Sequence, residues 1–276
     1  MTGRTRATPA ALAEAPRARL AAVRLLLTDL DDTLTTGGRL GEAAMAALYR
    51  AERAGLPVVV VTGGPGGAGE TLARLLPVAA AVAESGAVWF WRRNDEPGAS
   101  PRVGHALDDA ARTLARRTRE ALLARVAAEV PGARLAHDQD FRAVDAAFEI
   151  SPGGVPLPEA DLARIEALCT AAGLRHSRSS VHVNAWPPLY DKVSGARAAV
   201  RDALGLGLDD LAAAGAAAYV GDALNDAPCF SFFPLSFGVA NLVPLLPRLD
   251  APPAYLTRAA RGEGLAELVD ALLAAR

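Results

Sequence analysis

The residues best suited to chemistry begin in Leu25-Leu26-Leu27-Thr28-Asp29-Leu30-Asp31-Asp32-Thr33-Leu34-Thr35, an apolar run that stops abruptly in carboxylates. Such a run reads as a buried parallel strand, and ligands of an open α/β sheet bind outside the carboxyl ends of its strands. Side chains alternate along a strand, so Asp29 and Asp31 share a face if the strand persists that far, and Asp32 points away. Two carboxylates so close resist joint ionisation unless a cation offsets them, and hard oxygen ligands suit Mg²⁺. A hydroxyl, Thr62, closes a second apolar run, Val58-Val59-Val60-Val61-Thr62-Gly63. Lys192 is the only lysine, every other basic residue being arginine. A lysine that survives such a bias marks a place where a compact ammonium serves and a guanidinium does not. In Gly221-Asp222-Ala223-Leu224-Asn225-Asp226, Gly221 permits a sharp strand-to-helix turn, and one helical turn brings Asp222 and Asp226 together.

These groups need strands and helices in alternation to carry them. Strands are expected over residues 23–29, 58–62, 78–83 and 216–220, with a helix over 41–54 closed by Gly55. Asp191 is placed to cap the helix that carries Lys192. Late strands are expected near 237–240 and 255–257, a loop at Arg261-Gly262-Glu263-Gly264, and a closing helix over 265–275. Between the third and fourth of the early strands the chain changes character. An aromatic strand, Val88–Arg92, leads through a polar loop to a long helix over 106–129, whose arginines from Arg112 to Arg119 read as a solvated face. Strands over 144–150, 174–178 and 181–186 and a helix over 159–172 follow. This insert of about 100 residues reads as an α+β domain of ordinary size. On its last strand His182, Asn184 and Trp186 face opposite to Val181, Val183 and Ala185.

The D-x-D-x-T run, the strand-end threonine, the lysine and a complete G-D-x-x-N-D resemble, in that order, the motifs of the haloacid dehalogenase (HAD) superfamily of phosphohydrolases. An insert between the second and third motifs resembles the large cap of subfamily IIB, the Cof-type and sucrose-phosphatase-like enzymes. Glu84-Ser85-Gly86-Ala87 resembles the N-G-A turn from which that branch leaves its core, and Ser-Ser-Val-His-Val-Asn-Ala-Trp before Asp191-Lys192 resembles a sucrose- or trehalose-phosphatase-like subgroup. The resemblance implies an α/β fold: a Rossmann-like, doubly wound parallel core over 21–86 and 187–276, with an α+β cap over 87–186. It implies a Mg²⁺-dependent phosphatase acting on a sugar phosphate through an aspartyl-phosphate. Asp29 would be the nucleophile, Asp31 the general acid and base, and Thr62 and Lys192 the holders of phosphoryl oxygens. Mg²⁺ would sit on Asp29, the Asp31 backbone carbonyl and Asp222. Gly63 would border the phosphate, Asn225 and Asp226 would orient Lys192 and water, and Arg142, His182 and Asn184 would meet the substrate, with Asp138, Asp145 and Glu149 as weaker cap candidates. Many relatives carry Arg immediately after Thr-Gly; here that residue is Gly64.

Other features narrow the reading. Gly64-Pro65-Gly66-Gly67-Ala68-Gly69-Glu70-Thr71 has the spacing of a nucleotide-binding P-loop, but Glu70 stands where the lysine belongs and would repel phosphates. It reads as a glycine-rich helix entry. A net charge of −2 and a pI near 6.1 give no footprint for nucleic acid. No apolar stretch is long enough to span a bilayer, which argues against a membrane partner and against a P-type ATPase. Cys169 and Cys229 lack metal-ligand spacing and read as buried thiols of a reducing, cytoplasmic compartment. Residues 1–20, with Arg4, Arg6, Arg17 and Arg19, read as a disordered basic tail. The expected partner is a small-molecule phosphate ester, and the expected state a monomer or weak homo-oligomer. Two alternatives share the chemistry. A phosphomutase could use the same core; a receiver-like phosphoacceptor module combines similar groups but lacks an inserted cap and the G-D-x-x-N-D.

Overall fold

A computed structural model of the chain describes residues 8–92, 99–179 and 181–276. The first half runs β1 (Ala10–Ala11), α1 (Arg17–Ala22), β2 (Leu25–Thr28), α2 (Glu42–Arg53), β3 (Val58–Val61), α3 (Gly66–Leu75), β4 (Ala80–Ala83), β5 (Val88–Trp91), β6 (Arg102–His105) and α4 (Asp109–Glu129). It continues through β7 (Ala146–Glu149), α5 (Glu159–Ala171), β8 (Arg175–Arg178), β9 (His182–Trp186), α6 (Lys192–Leu204), α7 (Leu208–Ala213), β10 (Ala217–Gly221), α8 (Ala227–Phe232), β11 (Ser236–Gly238), β12 (Tyr255–Leu256) and α9 (Arg261–Ala275).

The large sheet has the order β1-β12-β11-β10-β2-β3-β4-β5-β6. Pairing is parallel from β1 through β4 and antiparallel across β4-β5-β6. Its central strands are apolar on both sides because both faces are covered. Leu26, Val58 and Val60 pack with α2 and α9, whereas Leu25, Leu27, Val59 and Val61 pack with α6 and α8. Strand order reverses between β2 and β10, which opens a crevice at their carboxyl ends. Their register sets Thr28 opposite Val220, so Asp29 and Gly221 emerge side by side.

A smaller antiparallel sheet, β7-β9-β8, packs one face against α4 and α5. Phe148, Val183 and Ala185 point into that core with Leu122, Val126 and Ile165. Glu149 pairs with His182 and Ala147 with Asn184, so these residues lie on the sheet's other face, toward the large sheet.

Four expectations need correction. First, residues 8–20 are ordered: β1 adds to the sheet beside β12, and Leu12 and Leu20 bury against Leu272 and Ala275 of α9. The edge of β12 is thereby paired rather than exposed. Arg4 and Arg6 lie outside the described residues. Second, the core does not end at residue 86. The turn at Glu84 and Ser85, both at positive φ, sends β5 back antiparallel along β4, with β6 beyond it. The insert therefore reads β-β-α-β-α-β-β, and its first two strands belong to the large sheet; part of the polar loop between them lies outside the described residues. Third, Arg112, Arg116 and Arg119 are tethered to carbonyls of Leu107, Ala143 and Arg142 rather than merely solvated. Fourth, Arg261–Gly264 is the first turn of α9. Side chains at Gly262 and Gly264 would crowd Ala44, Thr257 and Val239, so glycine here marks close packing rather than a loop.

Candidate active site

β2 stops after Thr28, and the backbone N–H of Asp29 still donates to Val220 of β10 at 2.9 Å. The Asp29 side chain is thus held at the mouth of the crevice. Lys192, at the start of α6, reaches it from the opposite side: its Nζ donates to Asp29 Oδ1 at 2.6 Å and to Asp226 Oδ1 at 2.7 Å. Asp191 caps that helix, accepting from the N–H of Ser194 at 2.8 Å. Asp226 is saturated. Its Oδ1 also accepts from the Tyr219 hydroxyl at 2.6 Å, and its Oδ2 accepts from the N–H groups of Asp222 and Ala223 at 3.0 and 3.1 Å. A Cβ at residue 221 would collide with Asp226, so only glycine lets the loop fold back in this way.

Asp222 is fixed from two sides, Thr33 Oγ1 donating to Oδ1 at 3.1 Å and Asn241 Nδ2 to Oδ2 at 2.9 Å. Asn241 also donates to the Asp32 carbonyl and accepts from the N–H of Arg261, which ties three loops together. The Asp32 carboxylate turns away to Gly37 N–H and Arg261.

Carboxylate oxygens of Asp29, Asp222 and Asp226 lie within 4.8 Å of one another. Asp226 has its lone pairs engaged by four donors, which leaves Asp29 Oδ2, with no donor among the described residues, and one remaining lone pair on each Asp222 oxygen. Burial raises the affinity of Asp29 for a proton, opposed by Lys192 and reinforced by the neighbouring acids. Asp31 is raised by burial too, and Asp222 is pushed up to about 8, by burial and then by Asp226. Burial acts to lower Lys192, but Asp226 and Asp29 more than offset it and keep the ammonium charged. One ammonium facing the acids Asp29, Asp31, Asp222 and Asp226 leaves an excess of negative charge in low dielectric, so the donor set fits a small, hard cation.

Across the crevice, Thr62 follows β3, and its hydroxyl oxygen accepts from Gly64 N–H at 2.8 Å, leaving its proton free to donate. Asp29, Asp31, Thr62, Asn184, Asp222 and Asn225 surround one cavity of about 10 Å³, room for roughly one water. Asn184 Oδ1 and Asn225 Oδ1 are buried there without a donor. Of the two residues expected from the sequence to orient Lys192, Asp226 therefore does and Asn225 does not. Arg142 needs a larger correction. Its side chain is fully buried, paired with Asp138 and Asp145 at 2.9 Å each, and donates to the Gly63 carbonyl at 2.8 Å. The same carbonyl accepts from Asn184 Nδ2 at 2.6 Å. Arg142 thus joins the two sheets, its fork taken by the local acids and the Gly63 carbonyl, and it lines neither cavity at the crevice. His182 and Asn184 do face the crevice.

Sequence reading assigned no role to Tyr219, Thr33, Asn241 or Glu84. Tyr219 had a signal: a phenol in a buried strand must find a polar partner. Glu84 is wholly buried, and its carboxylate accepts from N–H groups of Gly66, Ala143, Val144 and Asp145, a junction that no local pattern announces.

No family model matches the sequence, and no curated protein aligns with it significantly. Solved structures do match. A Thermoplasma acidophilum protein superposes with a TM-score of 0.68 at 17% identity, covering 91% of this chain and 98% of that one. A haloacid dehalogenase-like hydrolase from B. subtilis gives 0.60 at 16%, covering 90% and 99%. The sucrose-phosphatase from Synechocystis, solved with sucrose and phosphate, gives 0.61 at 15%, covering 90% and 97%. At these identities the likeness establishes the fold, and the chain has the fold of HAD-like hydrolases.

Proposed function

We propose that this chain is a Mg²⁺-dependent phosphatase acting on a small phosphorylated metabolite of the sugar-phosphate class. The observation that carries the reading is the Asp29–Lys192–Asp226 chain, closed at the carboxyl ends of β2 and β10 from residues far apart in sequence. The Synechocystis neighbour, a sucrose-phosphatase, supports the substrate class.

In the first step, Asp29 attacks the phosphorus of a monoester in line, forming an aspartyl-phosphate as the bond to the leaving oxygen breaks. Asp31, which burial inclines to carry a proton, gives it to that oxygen. In the second step, Asp31 takes a proton from water as the water attacks phosphorus, which frees Asp29 and releases inorganic phosphate. Lys192 and the Thr62 hydroxyl donate to phosphoryl oxygens as charge shifts onto them. Asp226 positions the ammonium and Tyr219 positions Asp226. Asp29, Asp222 and the Asp31 backbone carbonyl would hold Mg²⁺, whose charge offsets the repulsion between nucleophile and phosphate when bound.

The test is hydrolysis of 4-nitrophenyl phosphate and a panel of sugar phosphates with and without Mg²⁺, comparing wild type with Asp29→Asn. Activity is expected to require Mg²⁺ and to fall by about 10³-fold or more in the variant. Mg²⁺ should also raise the melting temperature of wild type but not of Asp222→Asn, because a ligand stabilises only the state that binds it. Equal hydrolysis by Asp29→Asn would remove the nucleophile from the reading.

A further inference from the structure

A larger cavity, about 680 Å³, opens above Asp31 between the two sheets. Its role rests on the phosphatase reading, in which the leaving group of the ester lies here. Its charged lining is acidic; Asp138 is paired with Arg142 and burial inclines Asp31 to hold a proton, which leaves Glu149 as the carboxylate without an ion-pair partner among the described residues. Asp31, Asp138 and Glu149 line it, with His137, His182 and Gly64, and no lysine or arginine lines it among the described residues. The cation that sequence places nearby, Arg142, is engaged by Asp138, Asp145 and the Gly63 carbonyl. Gly64 brings no side chain, and Arg39, next to the lining Gly38, is outside the lining. His182 is neutral near pH 7, since burial first and Arg142 second lower it to about 4.

The Glu149 carboxylate accepts no hydrogen bond among the described residues. Where the cleft meets the small cavity at the acids, Asn184 is buried with Nδ2 donating to the Gly63 carbonyl, so the atom left without a partner is the acceptor Oδ1. A buried acceptor of this kind calls for an O–H or N–H donor. Ser151 and the two imidazoles can donate as well as accept, but none of the lining groups is a lysine or arginine among the described residues. Hydroxyls or an ammonium on the leaving group would match them. A carboxylate or second phosphate would find hydroxyl and imidazole donors but no lysine or arginine, and would meet the Glu149 carboxylate in a partly desolvated cleft.

We propose that this cleft selects monophosphate esters whose leaving group is neutral or cationic, and that it rejects esters carrying a second anionic group. The geometry makes Glu149, on β7 opposite His182, a specificity-determining residue.

The experiment is competition against 4-nitrophenyl phosphate hydrolysis by glucose 6-phosphate, glucosamine 6-phosphate and 6-phosphogluconate, which differ in charge away from the phosphate. The inhibition constant of 6-phosphogluconate should exceed that of glucose 6-phosphate by about tenfold or more, and glucosamine 6-phosphate should bind at least as tightly as glucose 6-phosphate. Glu149→Gln should narrow the gap about threefold or more. In wild type the gap should also narrow as salt rises from about 0.05 to about 0.5 M, which tests the charge origin without any substitution. Equal inhibition, tighter binding of 6-phosphogluconate, no inhibition by any of the three, or a gap untouched by both salt and Glu149→Gln overturns the proposal. If hydrolysis of 4-nitrophenyl phosphate itself survives Asp29→Asn, the phosphatase reading has failed; if it depends on Asp29 and the charge order is reversed, only the selection has failed.

Discussion

Lys192 shows how much one atom type decides. Its Nζ touches two carboxylates at 2.6 and 2.7 Å in a site with almost no exposure. A point ammonium bridges two such oxygens and keeps a third proton for a ligand, whereas a planar guanidinium spreads its donors over a fork that this space does not match. Lys192→Arg keeps the charge and should still lower kcat by about 10²-fold or more. Steady-state kinetics check this, and near-wild-type kcat would mean that charge alone suffices. Asp226 illustrates the reverse case, a carboxylate with every lone pair engaged, which is why it supports the site without being free for a ligand.

Among elements, the turn after β4 joins the two sheets. Glu84 accepts from three consecutive N–H groups leading into β7, those of Ala143, Val144 and Asp145, while also holding Gly66 at the entry of α3. Arg142 and Asn184 add contacts to the Gly63 carbonyl. These contacts form the seam between the two sheets, beside a cavity of about 10 Å³ at the acids that has room for roughly one water. Glu84→Gln replaces an acceptor oxygen with an N–H donor facing N–H groups. It should cost about 2–4 kcal/mol of stability, read from denaturant unfolding, and it should speed amide exchange at Ala143–Asp145. Unchanged exchange there would show that the seam is held elsewhere.

At the scale of the whole molecule, burial against the opposite sheet changes what His182 contributes. Its folded value near 4 lies below the ordinary one of about 6.5. The unfolded chain therefore binds a proton more readily, and the stability that the neutral imidazole contributes is complete above pH 6.5 and lost as pH falls toward 4. His182→Gln should lose less melting temperature than wild type between about pH 7 and about pH 5. Identical losses would mean that His182 does not titrate between the states. The described residues include no helix long and apolar enough to cross a membrane, and both cysteines are buried free thiols.

The sequence determined the alternation of strands and helices and brought Asp29, Asp31, Thr62, Lys192 and Asp222 to element ends, because apolar runs, breaks and capping residues act over a few neighbours. It did not determine which strands pair. β5 and β6 read with the insert because an aromatic strand looks alike in either sheet, and β1 reads as tail because two residues carry no periodic signal. Arg142 looks like a ligand contact for the same reason: a sequence records a charge but not which acids surround it. Only the tertiary structure decided that Asp138 and Asp145 neutralise Arg142, that Glu84 spans 59 residues to Ala143, and that the acids converge on one lysine. Those outcomes depend on contacts between distant segments, fixed by sheet order and burial.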